Sequence, residues 1–363
     1  RRYLIKFFEM KFFNLDLHIS VIADVEKIFY DLGHSVDNWS ISGHSFIMNK
    51  EKKDVKHVNS STWQNLNESM IDNFYNEYKE QLSKYDGFIV THTPCFSLLY
   101  QKFEKPIITI ASTRYEAPFS NNMIMWSKLN QFLKNGIDNK QVIPVANNKY
   151  DKKYTELFTE REWKHIPSLC EYTGADYTGN KNKFLYSSKF NPSLDIPNLA
   201  YKNKELRKNY SWQELADYKG IVHVPYNVST MSIFEQYTSN IPLFFPSIIF
   251  LKELRNKFAN MGVLSETSWN QVSGLSPNSS IFPGPDDPNN YKDLETVMKW
   301  ASLSDFYDEE NMPYVQLFDS FEHLEELLNS TNLGEVSDKM SQYNLLRRNR
   351  VYNSWESILN EVK

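Results

Sequence analysis

Residues 220–246, GIVHVPYNVSTMSIFEQYTSNIPLFFP, decide the fold, because they read as a strand, a polar loop, a helix, a turn and a second strand. The pattern predicts strands over Gly220–Tyr226 and Ile241–Ser247, with a helix over Thr230–Ser239 between them. Strand–helix–strand order is typical of a parallel sheet with crossover helices. Ligands of such sheets bind beyond the carboxyl ends of the strands, so the loop Pro225–Ser229 is a candidate site.

Small hydroxyl side chains crowd the start of the predicted helix at Ser229, Thr230 and Ser232. Free N–H groups and the helix dipole make such a start favourable for a phosphate. Glu235 lies one turn, roughly 5 Å, from Ser232 on the same face. A diphosphate at the helix start would therefore bring a ribose to Glu235, with Tyr226 of the preceding loop nearby. An ordinary strand–helix–strand unit with surface Ser, Thr and Glu residues is the alternative.

The same alternation extends in both directions along the chain. In the first half, the sequence predicts a strand at Tyr3–Met10, a loop at Lys11–Leu17, and then the helix Ile19–Leu32, the strand His34–Ile41, the helix Trp63–Tyr85, the strand Asp86–His92, the helix Pro94–Phe103 and the strand Pro106–Ser112. In the second half it predicts the strand Phe184–Ser188 and the helices Ser211–Tyr218, Ile248–Met261, Leu294–Ser302, Phe321–Asn329 and Leu333–Asn349. Val142–Asn182 has no assigned elements, and the Pro-rich stretch Leu264–Asn290 indicates an insertion or lid. The fold class is therefore α/β with parallel sheets.

Composition narrows the class of protein. The chain has 363 residues, enough for two domains, and a net charge of −5, whereas a dedicated nucleic-acid binder would carry a basic surplus. Two cysteines without CxxC spacing indicate neither a disulfide framework nor a zinc site. No apolar run reaches the ~18 residues of a membrane span, and we expect no integral membrane segment and a cytoplasmic location.

The segment 220–246 resembles the donor-binding segment of glycosyltransferases with two facing Rossmann-like domains, the GT-B architecture, and is similar to exostosin-like members. It differs from these members in carrying Ile233 where they have Arg and Asn240 where they have Gly. The resemblance implies a nucleotide-sugar donor, with a UDP or GDP sugar favoured, a glycan acceptor and no further cofactor. It implies that Glu235 binds the donor ribose, and that the hydroxyl residues at the helix start lie near the diphosphate.

The resemblance also implies a division of the chain. The acceptor side would be a Rossmann-like domain over 1–182, and the nucleotide sugar would be bound by a second over 183–340. Residues 341–363 would form a closing helix that crosses back to the first domain.

In GT-B enzymes the loop after the first strand faces the cleft, which makes His18 the leading candidate for a general base. Histidine titrates near ~6.5 when unperturbed, which suits proton transfer at neutral pH. Either Asp16 or Asp24 could orient its ring, and a surface or helix-terminal role for His18 is the alternative. His92 ends another predicted strand and should line the same cleft.

After the strand Pro106–Ser112, Arg114 could pair with an acceptor or a phosphate, and Glu116 could bind the acceptor, act in catalysis or be structural. Lys189 could offset charge on the leaving diphosphate, or it could be one of many solvated lysines. No Asp-x-Asp pair follows a strand, and Asp286–Asp287 lies in a Pro-rich loop, so the sequence predicts no essential metal.

Two other functions are compatible with the same fold. A nucleotide-sugar 2-epimerase would need the donor site but no acceptor. A non-catalytic carbohydrate-binding or scaffold protein would keep the fold without turnover. Inverting and retaining transfer are both compatible with the sequence.

Overall fold

The structure is a computed structural model that describes residues 9–112, 115–265, 288 and 293–362. It contains two sheets in which all the strand pairs are parallel, and helices connect most consecutive strands. The first sheet has the strand order β2-β1-β3-β4-β5-β6, and the second has the order β11-β10-β9-β7-β8. The prediction of an α/β fold with parallel sheets is confirmed.

The first sheet and its helices lie within the first half of the chain. The elements are β1 Lys11–Asp16, α1 Ile19–Asp31, β2 Ser35–Ser40, α2 Glu68–Leu82, β3 Gly87–Val90, α3 Ser97–Tyr100, β4 Ile107–Ala111, α4 Met123–Asp138, β5 Val142–Ala146, α5 Lys149–Thr159 and β6 Lys164–His165.

The second sheet follows after a connection over residues 166–183. Its elements are β7 Phe184–Ser187, β8 Leu199–Tyr201, α6 Lys202–Glu205, α7 Trp212–Ala216, β9 Ile221–His223, α8 Met231–Thr238, β10 Leu243–Pro246, α9 Ile248–Phe258, α10 Leu294–Ala301, β11 Gln316–Phe318, α11 Phe321–Ser330 and α12 Leu333–Val362. The predicted unit over 220–246 is therefore β9, α8 and β10.

One segment predicted as a loop is a strand. Lys11–Asp16, predicted as a loop, is the strand β1, and it pairs with β2 on one side and β3 on the other. Its polar residues Asn14 and Asp16 suggested a loop, but both are buried and hydrogen-bonded to neighbouring strands. The Asn14 amide donates to the Ile89 carbonyl at 2.7 Å, and Ser40 Oγ donates to Asp16 at 2.8 Å. These partners lie 24 or more residues away, so local sequence does not reveal them.

The boundaries of other elements also differ from the predicted ones. The helix predicted at Trp63–Tyr85 begins only at Glu68, because the Asn67 side chain accepts from the Met70 N–H and caps it there. The helix predicted at Pro94–Phe103 is a series of short turns around α3. The unassigned stretch Val142–Asn182 contains β5, α5 and β6, and α4 was not predicted.

The last helix joins the two halves of the molecule. The predicted helix Leu333–Asn349 continues without a break to Val362, so the predicted domain boundary at 340/341 falls inside α12. Towards its end, the Trp355 ring packs against Phe29 of α1, with centroids 5.4 Å apart. Earlier in the helix, the Asn344 amide donates to the Tyr237 carbonyl of α8 at 3.0 Å. The helix therefore contacts elements that belong to both sheets.

Some sequence predictions lie outside the described residues. These are residues 3–8 of the predicted first strand, Arg114, most of Leu264–Asn290, and Asp286–Asp287. Within the described part of the chain, no helix is both long and apolar enough to cross a bilayer.

Candidate functional site

A cavity of about 400 Å³ opens at the carboxyl ends of three neighbouring strands of the second sheet. Residues that directly follow β7, β8 and β9 line it, together with the start of α8. We call it the second-sheet cavity. Its lining residues include the predicted Lys189, Tyr226, Thr230 and Ser232. Four of the residues predicted from the nucleotide-binding pattern and the resemblance therefore share one cavity.

The cavity is strongly basic. Lys189, Lys202, Arg207 and Lys208 line it, and among its described lining residues none carries a carboxylate. Two of the cations lie over aromatic rings: Lys189 Nζ is 4.3 Å from the Tyr226 ring centroid, and Lys202 Nζ is 4.7 Å from that of Tyr210. Such contacts hold the ammonium groups at defined places. The charge and the strand-end position suit an anionic ligand.

The N-terminus of α8 faces this cavity. Thr230 is the N-cap residue, and within the described chain its side chain makes no cap to the N–H groups of the first turn. Its hydroxyl instead lies 3.1 Å from Ser232 Oγ. A helix start with uncapped N–H groups adds partial positive charge where the four cations already lie.

Ser229 does not take the place expected for a phosphate ligand. It is absent from the residues that line the cavity, and its hydroxyl donates to the buried carboxyl of Asp305 at 3.0 Å. Asp305 lies in the segment before β11, 76 residues further along the chain. Burial raises the pKa of Asp305 to about 8.

Glu235, predicted as the ribose ligand, is not among the residues that line the cavity. The Tyr172 hydroxyl donates to Glu235 Oε1 at 2.6 Å, and the Trp212 side chain also forms a hydrogen bond with its carboxylate. Burial raises the pKa of Glu235. Lys202, which lines the cavity, interacts electrostatically with the same carboxylate, so Glu235 lies near the cavity without lining it.

His223 also lines the cavity. Its Nε2 lies 2.7 Å from Gln236 Oε1, and its ring stacks on Phe245 with centroids 4.8 Å apart. Burial lowers its pKa to about 4. The imidazole is therefore neutral at physiological pH and adds no charge to the cavity.

A second group of predicted residues lies at the carboxyl edge of the first sheet. His18 is the N-cap residue of α1, and His92 follows β3 with a left-handed backbone, φ 67°. Their rings stack with centroids 5.1 Å apart and an interplanar angle of 28°. Asp16 accepts from the backbone N–H of His18 as well as from Ser40, and burial raises its pKa to about 7.

Asp24 and Glu116 are the other two candidates of the first half. Asp24, the alternative orienting carboxylate, accepts from the backbone N–H groups of Leu169 at 3.1 Å and Cys170 at 2.6 Å. It therefore anchors the connection between the sheets. Glu116 is buried after β4 and interacts electrostatically with the Tyr154 phenol.

The two halves of the molecule touch where β5 ends. Asn147 Nδ2 lies 3.7 Å from Met231 Sδ, the first residue of α8, so the edge of the first sheet touches the helix start that faces the second-sheet cavity. Asn147 was not predicted. Its position after a strand, in Asn147-Asn148, was the signal that could have pointed to it.

Sequence reasoning also missed the segment 202–210, which supplies Lys202, Asn203, Leu206, Arg207, Lys208 and Tyr210 to the cavity. Its run of basic residues, KNKELRKNY, was the available signal. Over the described residues, no group of three or more His, Cys, Asp or Glu side chains is arranged to hold a metal ion.

No model of a protein family and no curated protein sequence matches the chain. Solved structures are similar to it. The glycotransferase of kitacinnamycin has 9% identity, covers 98% of this chain and 100% of its own, and gives a TM-score of 0.47. The spinosyn rhamnosyltransferase SpnG complexed with thymidine diphosphate has 9% identity, 93% and 96% coverage and a TM-score of 0.43. The glycosyltransferase SnogD from Streptomyces nogalater has 10% identity, 94% and 100% coverage and a TM-score of 0.38. Likeness at this level assigns no function to the chain, which has to be inferred from its own site.

Proposed function

We propose that the protein is a metal-independent glycosyltransferase. The nucleotide-sugar donor, a UDP or GDP sugar, binds in the second-sheet cavity, and a saccharide or glycoconjugate acceptor binds at the carboxyl edge of the first sheet. The proposal keeps the predicted acceptor side over 1–182 and donor side over 183–340, with the predicted closing helix forming the later part of α12.

One observation carries the proposal. Four cations and the N-terminus of α8 surround a cavity of about 400 Å³ whose described lining has no carboxylate. A nucleoside diphosphate is the ligand that matches this arrangement, because its charge is concentrated on the diphosphate and the rest is a flat base and a ribose. The Tyr210 and Tyr226 rings at the cavity wall offer surfaces for the base or sugar.

The proposed chemistry is displacement at the anomeric carbon. The acceptor oxygen forms a bond to this carbon while the bond to the diphosphate oxygen breaks, and the charge left on the diphosphate is stabilised by Lys189, Arg207 and the start of α8. In inverting transfer, His18 takes the proton of the acceptor hydroxyl. Its place beside Asp16 and His92 supports this role.

A thermal-shift screen with UDP, GDP, TDP, ADP and CMP tests the donor site. A ligand at 100 times its dissociation constant adds about 2.7 kcal/mol to the stability of the folded state, which shifts the melting temperature measurably. We expect stabilisation by a nucleoside diphosphate. No shift with any of the five would contradict the proposal.

Product analysis over a panel of nucleotide sugars, with and without acceptors, separates the three functions. A transferase forms a glycoside only when the acceptor is present. Epimerised donor without acceptor would favour the epimerase, and binding without turnover would favour the non-catalytic protein. Most of the turnover should persist in EDTA, and full loss restored by Mn²⁺ would contradict metal independence.

A further inference from the structure

A chain of buried polar side chains runs from the edge of the first sheet to the start of α8. Asn147 Nδ2 donates to Ser168 Oγ at 3.3 Å, and the Arg347 guanidinium donates to the backbone carbonyl of Ser168. Arg347 Nε also donates to Asn311 Oδ1 at 2.8 Å. The Asn311 amide lies 3.5 Å from Asp305 Oδ1, which is the longest hydrogen bond of this series.

The chain ends at the candidate donor site. Ser229 Oγ donates to Asp305 Oδ2 at 3.0 Å, and Ser229 directly precedes Thr230, the N-cap residue of α8. We call these six residues the polar relay; they are Asn147, Ser168, Arg347, Asn311, Asp305 and Ser229. All six are buried. Buried hydrogen bonds of this kind hold their partners in one geometry, because leaving any partner unpaired is costly.

Arg347 also holds the other end of α8. Its Nη1 donates to Thr238 Oγ1 at 3.1 Å, and its guanidinium lies 5.5 Å from the Tyr237 ring centroid. Arg347 belongs to α12, the helix that contacts both halves of the molecule. One buried cation on the closing helix is therefore linked to both termini of the helix that faces the cavity.

We infer that Asp305 and Arg347 are positioning residues for the nucleotide site: they hold Ser229, and with it the N-terminus of α8, in place against the first sheet. This inference rests on the proposed function, since the cavity must bind a nucleoside diphosphate. Ser229 then acts through its bond to Asp305 and not as a phosphate ligand. The polar relay thus fixes the position of α8 relative to the first sheet.

The test compares Asp305→Ala and Ser229→Ala with Ser304→Ala, because an amide at position 305 could still accept from the Ser229 hydroxyl. Ser304→Ala is the control. Ser304 is buried next to Asp305, but its hydroxyl donates to the backbone carbonyl of Ala301 at 2.6 Å and belongs to no bond of the polar relay. Amide hydrogen exchange in the ligand-free protein reports the start of α8 directly, without any nucleotide. Calorimetry with UDP or GDP, and steady-state kinetics, report the site.

In both relay variants we expect faster exchange confined to residues 228–232, and nucleotide binding weaker by about five- to tenfold, the value of one hydrogen bond. The KM for the donor should rise while the KM for the acceptor stays the same. Ser304→Ala should change neither. Unchanged exchange and affinity in the relay variants, or equal changes in the control, would overturn the inference. A wild-type protein that binds no nucleoside diphosphate would instead overturn the proposed function, and exchange would still report whether the relay holds α8.

Discussion

His18 and His92 follow two different strands, and only the pairing of β1 with β3 brings their rings into a stack. His18 has its backbone N–H bound by Asp16, so its position at the start of α1 is held from one side by a buried carboxyl group. Under the proposed function, the imidazole in this position would take the proton from the acceptor hydroxyl.

His18→Ala should lower the turnover number by ~10²–10⁴-fold, because one general base is removed. Nucleotide affinity should stay almost unchanged, since the second-sheet cavity is lined by residues from the second half of the chain. Single-turnover kinetics and calorimetry measure the two effects separately. Near-normal turnover would make His18 structural and move the role to His92 or Glu116. A product that retains the donor's anomeric configuration would remove the need for such a base.

Glu235→Ala tests the ribose ligand. We expect nucleoside diphosphate binding to weaken by ~1.5–3 kcal/mol, the value of a hydrogen bond to a charged group. Glu235→Gln is the matched control, because an amide oxygen still accepts from the Tyr172 hydroxyl and preserves that contact. If calorimetry gives unchanged affinity for a folded Ala variant, Glu235 serves only the packing with Tyr172 and Trp212.

At the scale of elements, the segment 202–210 supplies three of the four cations that line the cavity, namely Lys202, Arg207 and Lys208. Arg207 and Lys208 are exposed, so each should contribute about a two- to fivefold change in diphosphate affinity. In Arg207→Gln with Lys208→Gln, we expect weaker binding of UDP or GDP and a smaller dependence on salt. Titrations at low and high salt measure both.

Lys204→Gln provides the control for this experiment. Lys204 lies on the same segment, with its Nζ 5.2 Å from the Tyr201 ring centroid, but it does not line the cavity. An equal loss of affinity in this variant would mean that general surface charge, and not a defined phosphate contact, attracts the nucleotide. Binding of the uncharged nucleoside should not change in either variant.

For the whole molecule, buried ionisable groups make stability depend on pH. Burial raises the pKa of Asp305 to about 8 and those of Asp16 and Asp151 to about 7, whereas burial lowers the pKa values of His165 and His223 to about 4. Between about pH 4 and 8, the folded carboxyl groups bind protons more tightly than the unfolded ones do, so their contribution to stability falls as pH rises. The contribution of the two histidines to stability rises with pH instead, but only up to about pH 6.5, the pKa of histidine in the unfolded chain.

The melting temperature should therefore fall as pH rises from about 6.5 to 8, where only the carboxyl groups still act. Circular dichroism melts across this range measure the slope, and Asp305→Asn should make it shallower because its amide does not titrate. A melting temperature that is constant or rises over this range would contradict the assignment of these carboxyl groups as protonated in the folded state.

The local pattern of the sequence was sufficient for most strands and helices around the site. β9, α8 and β10 were predicted because apolar runs and a polar strand-end loop are visible within 27 residues. This segment predicted Tyr226, Thr230 and Ser232, and the end of the strand before it predicted Lys189; the structure brings all four together in one cavity. Their functional roles stay predictions until they are tested.

The tertiary structure alone decided how distant residues meet. Asn14 and Asp16 lie in a strand and not in a loop, because β2 and β3 supply their hydrogen bonds. Ser229 is bound to Asp305 instead of lining the cavity, and Glu235 is hydrogen-bonded by Tyr172. The sequence by itself determined the strand–helix–strand unit over 220–246 and the chemistry at its strand ends, since both depend on neighbouring residues. The partner of each buried polar group was decided only by the packed chain, because a buried donor or acceptor pairs with whatever the sheet order and the crossing of α12 bring within 3 Å or so.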